Sequence, residues 1–220
     1  MNKNTKHFTM QGNAGLMEGL IDMPLDGKKP RGIALVAHPH PLYGGTMENK
    51  VTQTLARAFV ALDYVVARIN FRGVGQSEGT HDRGHGETDD MELLYAHMTE
   101  KFPDLPVALA GFSFGTYVQS QVAQRLAARG TPAERLVLVG SAAGKWQMAD
   151  IPPDTILIHG ENDDTIPVQA VFDWARPQDV PVVVIPGADH FFHRKLGHIK
   201  NWVIALWLGK QQQKDDPEEA

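Results

Sequence analysis

Residue types that together carry out acyl transfer occur in order along the second half of this chain. Ser113 sits in Gly111-Phe112-Ser113-Phe114-Gly115, carboxylates follow at Glu161, Asp163 and Asp164, and His190 closes the stretch Gly187-Ala188-Asp189-His190. A serine hydroxyl is a weak nucleophile until a base takes its proton, and the base needs a third group to orient it. With both, the serine can attack a carbonyl and water can then release the acyl group. Plainer uses compete at this level. Gly111 and Gly115 can serve close packing with Ser113 as a helix N-cap, His190 can be a structural histidine, and any of the acids can face it.

The elements around these residues narrow the choice. Nearly continuous apolar runs at 32–39, 64–71, 106–113, 135–142, 155–160 and 181–187 alternate with runs at 48–63, 89–102, 115–130, 167–176 and 195–213. The first kind suits strands buried on both faces. The second repeats apolar residues at helical spacing, with one buried face each. The alternation predicts an α/β fold, a mostly parallel central sheet with helices on both faces. Residues 7–24 carry turn signals between two weakly alternating runs, which predicts an antiparallel hairpin at the sheet edge. Methionines and tryptophans at helical spacing, including both tryptophans of the last run, are predicted to be core.

Ser113 then falls at a sharp turn between a strand and a helix, where a Cβ on a flanking residue would meet neighbouring backbone. Backbone N–H groups and the positive helix end beneath it favour a developing negative charge. The loops carrying the acids and His190 also follow buried strands, so they emerge at the same C-terminal sheet edge, where open α/β sheets bind ligands. The order Ser, acid, His is the one that follows a G-x-S-x-G elbow.

Read together, "AHPHPLYGGTMENK", "NFRGVGQSEG", the elbow, "HGENDDTIP" and "GADHFF" resemble the α/β-hydrolase superfamily in order and over nearly the whole chain. More narrowly, they resemble its small serine hydrolases without a cap domain. The resemblance implies Ser113 as nucleophile, Asp163 as acid, being the fifth residue of the His-Gly-x-x-Asp pattern that starts at His159, and His190 as base. It also implies an oxyanion hole built from the Phe114 amide and an amide after the first long parallel strand. Pro39 and Pro41 have no N–H, which leaves His40 as the donor nearest the strand end, with Tyr43 as the alternative. Here His38-Pro39-His40 replaces the family's usual His-Gly-x. The related capless dienelactone hydrolases use a cysteine nucleophile, and this chain has no cysteine.

Caps enter this fold between the strand after the elbow helix and the next, where this chain has only a short connection. That predicts an open site, with Leu42, Tyr43, Phe112, Phe114, Trp146 and Phe191 as lining candidates, acting on carboxylic esters of small or exposed acyl groups. Thioesters, lactones and peptides share the chemistry and stand as alternatives. A non-catalytic binding protein of the same fold is the alternative from another class.

Composition bounds the rest. A length of 220 residues suits one domain, expected over 1–210 with a polar tail at 211–220. Hydrophobic residues at 42 % and charged residues at 21 % are those of a globular chain. The net charge of -5, with scattered cations, argues against nucleic acid as a partner. Absent cysteine excludes disulfides and thiolate metal sites. No stretch approaches the roughly 18 apolar residues of a membrane span, so no membrane partner and a cytoplasmic location are expected. No cofactor or metal is expected either. Gly73-x-Gly75-x-x-x-Gly79 has the wrong last spacing for a dinucleotide fingerprint. His38 and His40 lack a conspicuous third ligand, and His81 to Asp90 reads as a polar loop with a helix cap. The expected partner is a small-molecule ester.

Overall fold

The chain enters the sheet through the expected hairpin, β1 (Thr5–Gly12) and β2 (Gly15–Asp22), paired antiparallel with Gly12 opposite Gly15. The remaining strands are the six apolar runs: β3 (Gly32–Ala37), β4 (Tyr64–Ile69), β5 (Val107–Phe112), β6 (Arg135–Val139), β7 (Ile156–Gly160) and β8 (Val182–Ile185). Their order is β1-β2-β4-β3-β5-β6-β7-β8, with β2 antiparallel to β4 and β3 to β8 all parallel. The computed structural model describes residues 5–215, with side chains as far as Lys210.

Among the described residues, five α-helices cover the sheet: α1 (Lys50–Ala61), α2 (His85–Lys101), α3 (Phe114–Ala128), α4 (Val168–Ala175) and α5 (Leu196–Asp215). Strand alternation divides the core in two. Ile33, Leu35 and Leu109 point with α2, α3 and α4 into one cluster. Ala34, Val36, Ala110 and Phe112 point with α1 and α5 into the other. Burial on both faces is why the strand sequences show no polar alternation. Among the described residues, no helix is long and apolar enough to cross a membrane.

Several expectations shift. Helix α2 begins at His85, inside the run read as a loop, because the Glu87 carboxylate accepts the Gly84 N–H at 2.8 Å and stabilises a start that Gly86 disfavours. Helix α5 continues to Asp215, so the first part of the predicted tail is helical, and 216–220 lie outside the described residues. Of its two tryptophans only Trp207 is core, edge-on to Phe59 and Tyr64, whereas Trp202 is 43 % exposed. Helical spacing alone cannot assign a tryptophan at the margin of the buried stripe.

Candidate active site

Strand β3 has β4 on one side and β5 on the other, and the chains leaving β3 and β5 turn to opposite faces, into α1 and α3. That divergence opens a crevice at the C-terminal edge of the sheet, as it does in other open α/β sheets. Ser113 stands at its floor, between β5 and α3, with φ 55° and ψ −123°. A non-glycine residue there is strained, and the surroundings hold it. Its N–H donates to the Val139 carbonyl at 3.0 Å and its carbonyl accepts from Thr116 N–H at 2.8 Å. The flanking glycines permit contact between backbones. A Cβ on Gly111 would lie 2.4 Å from the Gly115 oxygen, and one on Gly115 would lie 2.4 Å from the Ala37 oxygen.

The loops after β7 and β8 bring the other two groups to it. His190 Nε2 is 2.9 Å from Ser113 Oγ, and His190 Nδ1 is 2.6 Å from Asp163 Oδ2. Asp163 Oδ1 accepts from the Thr165 and Ile166 amides at 2.9 and 2.7 Å. Burial alone would raise its carboxyl, but the hydrogen bonds from His190 and from Ile166 N–H outweigh it and hold the group below the usual carboxylate range. An imidazole so placed, with its Nδ1 on an anion, presents Nε2 as a proton acceptor to the hydroxyl.

The rival groups are engaged elsewhere. Glu161 accepts the Gly187 N–H at 2.7 Å, and Asp164 faces Thr165 Oγ1. Asp189 holds His193 through its N–H at 3.0 Å and its Nδ1 at 2.6 Å.

Two further histidines, which sequence reasoning left without a role at the site, support these groups. His159 is wholly buried beside Asp163, with Nε2 2.8 Å from the Ile166 carbonyl and 3.3 Å from Asp163 Oδ2. Burial lowers its pKa, so it is neutral and donates from Nε2. His38, also fully buried, accepts the Phe71 N–H on Nε2 at 2.9 Å, which puts its proton on Nδ1, 2.6 Å from the Pro39 carbonyl. Burial pushes His38 down to about 3 and fixes this neutral tautomer. Both its ring nitrogens are thereby bound to backbone, which removes it as a ready metal ligand.

The Pro39 carbonyl and the His40 N–H belong to one trans peptide, so that N–H points away from the His38 ring. Tyr43 N–H donates to the His40 carbonyl at 3.1 Å in the 3-10 turn Pro41–Tyr43, and Gly45 N–H joins it at 3.0 Å. Among the described residues, the amides of His40 and Phe114 have no protein acceptor. The amide of Phe114 is the first of α3, where helical geometry offers none.

The expected lining residues separate. Leu42, Tyr43 and Phe191 are exposed by 69, 87 and 48 %. Phe191 lies edge-on to His190 at 5.1 Å, and half-buried Trp146 packs on Phe114 at 4.9 Å. Phe112 and Phe114 are buried instead. Phe112 belongs to the α1/α5 face and lies 5.1 Å from the His190 ring, so it supports the imidazole and offers no open pocket wall. A cavity of about 340 Å3, lined by Leu20, Ala56, Arg57, Val60 and Arg68, lies elsewhere, and Ser113, Asp163 and His190 are not part of its wall.

A mainly parallel sheet covered on both faces, with a strained serine at a strand-to-helix turn, defines an α/β hydrolase. Comparison with known proteins agrees. The family model described as Serine aminopeptidase, S33, matches residues 28–154, a span that includes Ser113 and stops before Asp163 and His190. An α/β serine hydrolase without a lid from Xanthomonas campestris superposes with a TM-score of 0.85 at 34 % identity, covering 96 % of each chain. An α/β serine hydrolase homologue from Coxiella burnetii gives 0.80 at 34 %, covering 91 % of this chain and 96 % of that one. An uncharacterized protein of Rickettsia prowazekii is 32 % identical over 198 residues, 84 % of this chain and 81 % of its own. The chain belongs to the Serine aminopeptidase, S33, family of α/β hydrolases.

Proposed function

We propose that this hydrolase cleaves carboxylic esters of small or exposed acyl groups through a Ser113-His190-Asp163 triad and an acyl-enzyme. The observation that carries the reading is the unbroken hydrogen-bonded line from Ser113 Oγ through both ring nitrogens of His190 to Asp163. His190 takes the Ser113 proton as Oγ attacks the carbonyl carbon, and Asp163 stabilises the imidazolium that forms. The oxyanion accepts hydrogen bonds from the amides of Phe114 and His40, which have no protein acceptor among the described residues, and the N-terminus of α3 adds its positive end. Imidazolium then protonates the leaving alcohol. Water, deprotonated by His190, attacks the acyl-enzyme and releases the acid.

Exposure of Leu42, Tyr43 and Phe191 supports an unroofed site. So does the stretch between β6 and β7, which has only an isolated bridge, Ala143 to Trp146, where a cap would enter. The family's description favours a second reading, removal of an N-terminal residue from a peptide, since amide and ester cleavage share one tetrahedral course. Rates on p-nitrophenyl esters of two to twelve carbons, an acyl-CoA thioester and aminoacyl p-nitroanilides separate the readings. The proposal expects short esters fastest. Preference for the anilides replaces it with the peptidase, and preference for the longest chains contradicts the small-acyl assignment. Failure of the folded protein to react with a fluorophosphonate contradicts both.

A further inference from the structure

Glu87 is fully buried, and its one ion-pair partner among the described residues is His81. Its Oε1 accepts from His81 Nδ1 at 2.8 Å and from Asp82 N–H at 3.0 Å, and its Oε2 accepts from Gly84 N–H at 2.8 Å. The last contact is an ordinary helix cap. The first needs another explanation, because burying a carboxylate costs several kcal/mol unless strong partners compensate it. The contact anchors a His81 ring that is itself largely buried. That ring lies 4.7 Å from His40 and 5.5 Å, edge-on, from Phe114, while the His40 and Phe114 rings are 4.9 Å apart. The three rings close a triangle. Two of its corners are the residues whose amides face the oxyanion in the reading above, and the third is fixed from behind by Glu87.

We infer that Glu87 and His81 are positioning residues for the oxyanion hole: Glu87 fixes the His81 ring, and that ring holds His40 and Phe114 at their mutual spacing. The inference rests on the proposed triad reading. Around His40, Tyr43 and Trp146 add ring contacts at 4.8 and 5.7 Å and Nδ1 accepts Leu42 N–H at 3.2 Å, but of its ring neighbours among the described residues only His81 is itself anchored by a buried carboxylate. Removing the wall lets the His40 loop drift, and a displacement of about 1 Å is enough to lower a rate by up to about a hundredfold. An oxyanion donor acts on the transition state, so the loss belongs in kcat and leaves KM nearly unchanged.

Two replacements of His81 separate the ring from its anchor. Asn retains a group that can reach Glu87 and lacks the ring face; Phe retains the face and lacks the hydrogen bond. In the full chain, with p-nitrophenyl acetate, His81→Asn is expected to lower kcat about tenfold or more, with KM within about twofold of wild type. His81→Phe is expected to recover part of that loss, because the ring face returns without its anchor, and Glu87→Gln, which keeps the ring and weakens the anchor, to lower kcat by less than His81→Asn does. Wild-type kcat in His81→Asn, a loss confined to KM, no recovery in His81→Phe, or wild-type kcat in a folded Glu87→Gln overturns the inference. If Glu87→Gln does not fold, the two His81 variants still decide. Failure of the triad reading shows up separately, as hydrolysis that survives Ser113→Ala.

Discussion

The His38 imidazole donates to the carbonyl of Pro39 at 2.6 Å, from a ring that is itself held by the Phe71 amide. One buried side chain thereby sets the plane of the peptide whose opposite end is the His40 N–H. Replacing His38 by Leu leaves the Phe71 N–H buried without an acceptor, at about 1–3 kcal/mol, and releases the peptide. Urea unfolding should report that loss, and steady-state kinetics should show kcat reduced about tenfold or more at similar KM. Unchanged kcat in a folded variant would separate His38 from the oxyanion hole.

Acid should weaken the fold well above the carboxylate range. His38 is neutral in the folded chain down to about 3, whereas an unfolded histidine binds a proton below about 6.5, so between these values the unfolded state holds more protons. Stability is therefore full above 6.5 and is lost as pH falls. His159, also lowered by burial, acts with the same sign. At about 1.4 kcal/mol per unit, His38 alone accounts for about 2 kcal/mol at pH 5. The urea midpoint should drop between pH 7.5 and 5, less steeply in His38→Gln, and equal midpoints would contradict the assignment.

Gly115 should tolerate no side chain, because the Ala37 carbonyl that its Cβ would strike is backbone of the central strand β3. Gly115→Ala is expected to cost about 1–3 kcal/mol and to displace Ser113. Thermal unfolding and fluorophosphonate labelling would both fall. A variant that labels and melts like wild type would mean the elbow yields easily.

Among the acids, only Asp163 should matter greatly. Asp163→Asn removes the anion behind His190 and is expected to lower kcat by roughly four orders of magnitude, the scale known for triad acids. Asp164→Asn, whose side chain turns to Thr165, should stay within about threefold, because an exposed contact of this kind contributes little. Similar losses in both would return the acid to the other carboxylates of this loop.

Much of this arrangement is legible in the sequence. The strands read as apolar runs because both faces are buried, and the elbow was marked by two glycines whose lack of Cβ is required by backbone contact. Phe112 and Phe114, both expected to line the pocket, are buried, and for Phe112 strand parity with Ala108 and Ala110 already assigns it to the α1/α5 face, under His190. The role of His38 was not legible, since it depends on how one peptide plane is rotated and not on residue type. The start of α2 was hidden for a similar reason. Its helix-forming signal lies in a carboxylate reaching back three residues to the N-cap, and the propensity of Gly86 points the other way.

The central claim, that Ser113 attacks the substrate, is tested most directly by measuring p-nitrophenyl acetate hydrolysis by Ser113→Ala beside the wild-type chain. The hydroxyl is the only group the substitution removes, so the variant should melt as wild type does while kcat/KM falls by several orders of magnitude. Hydrolysis within about tenfold of wild type by the folded variant would contradict the account.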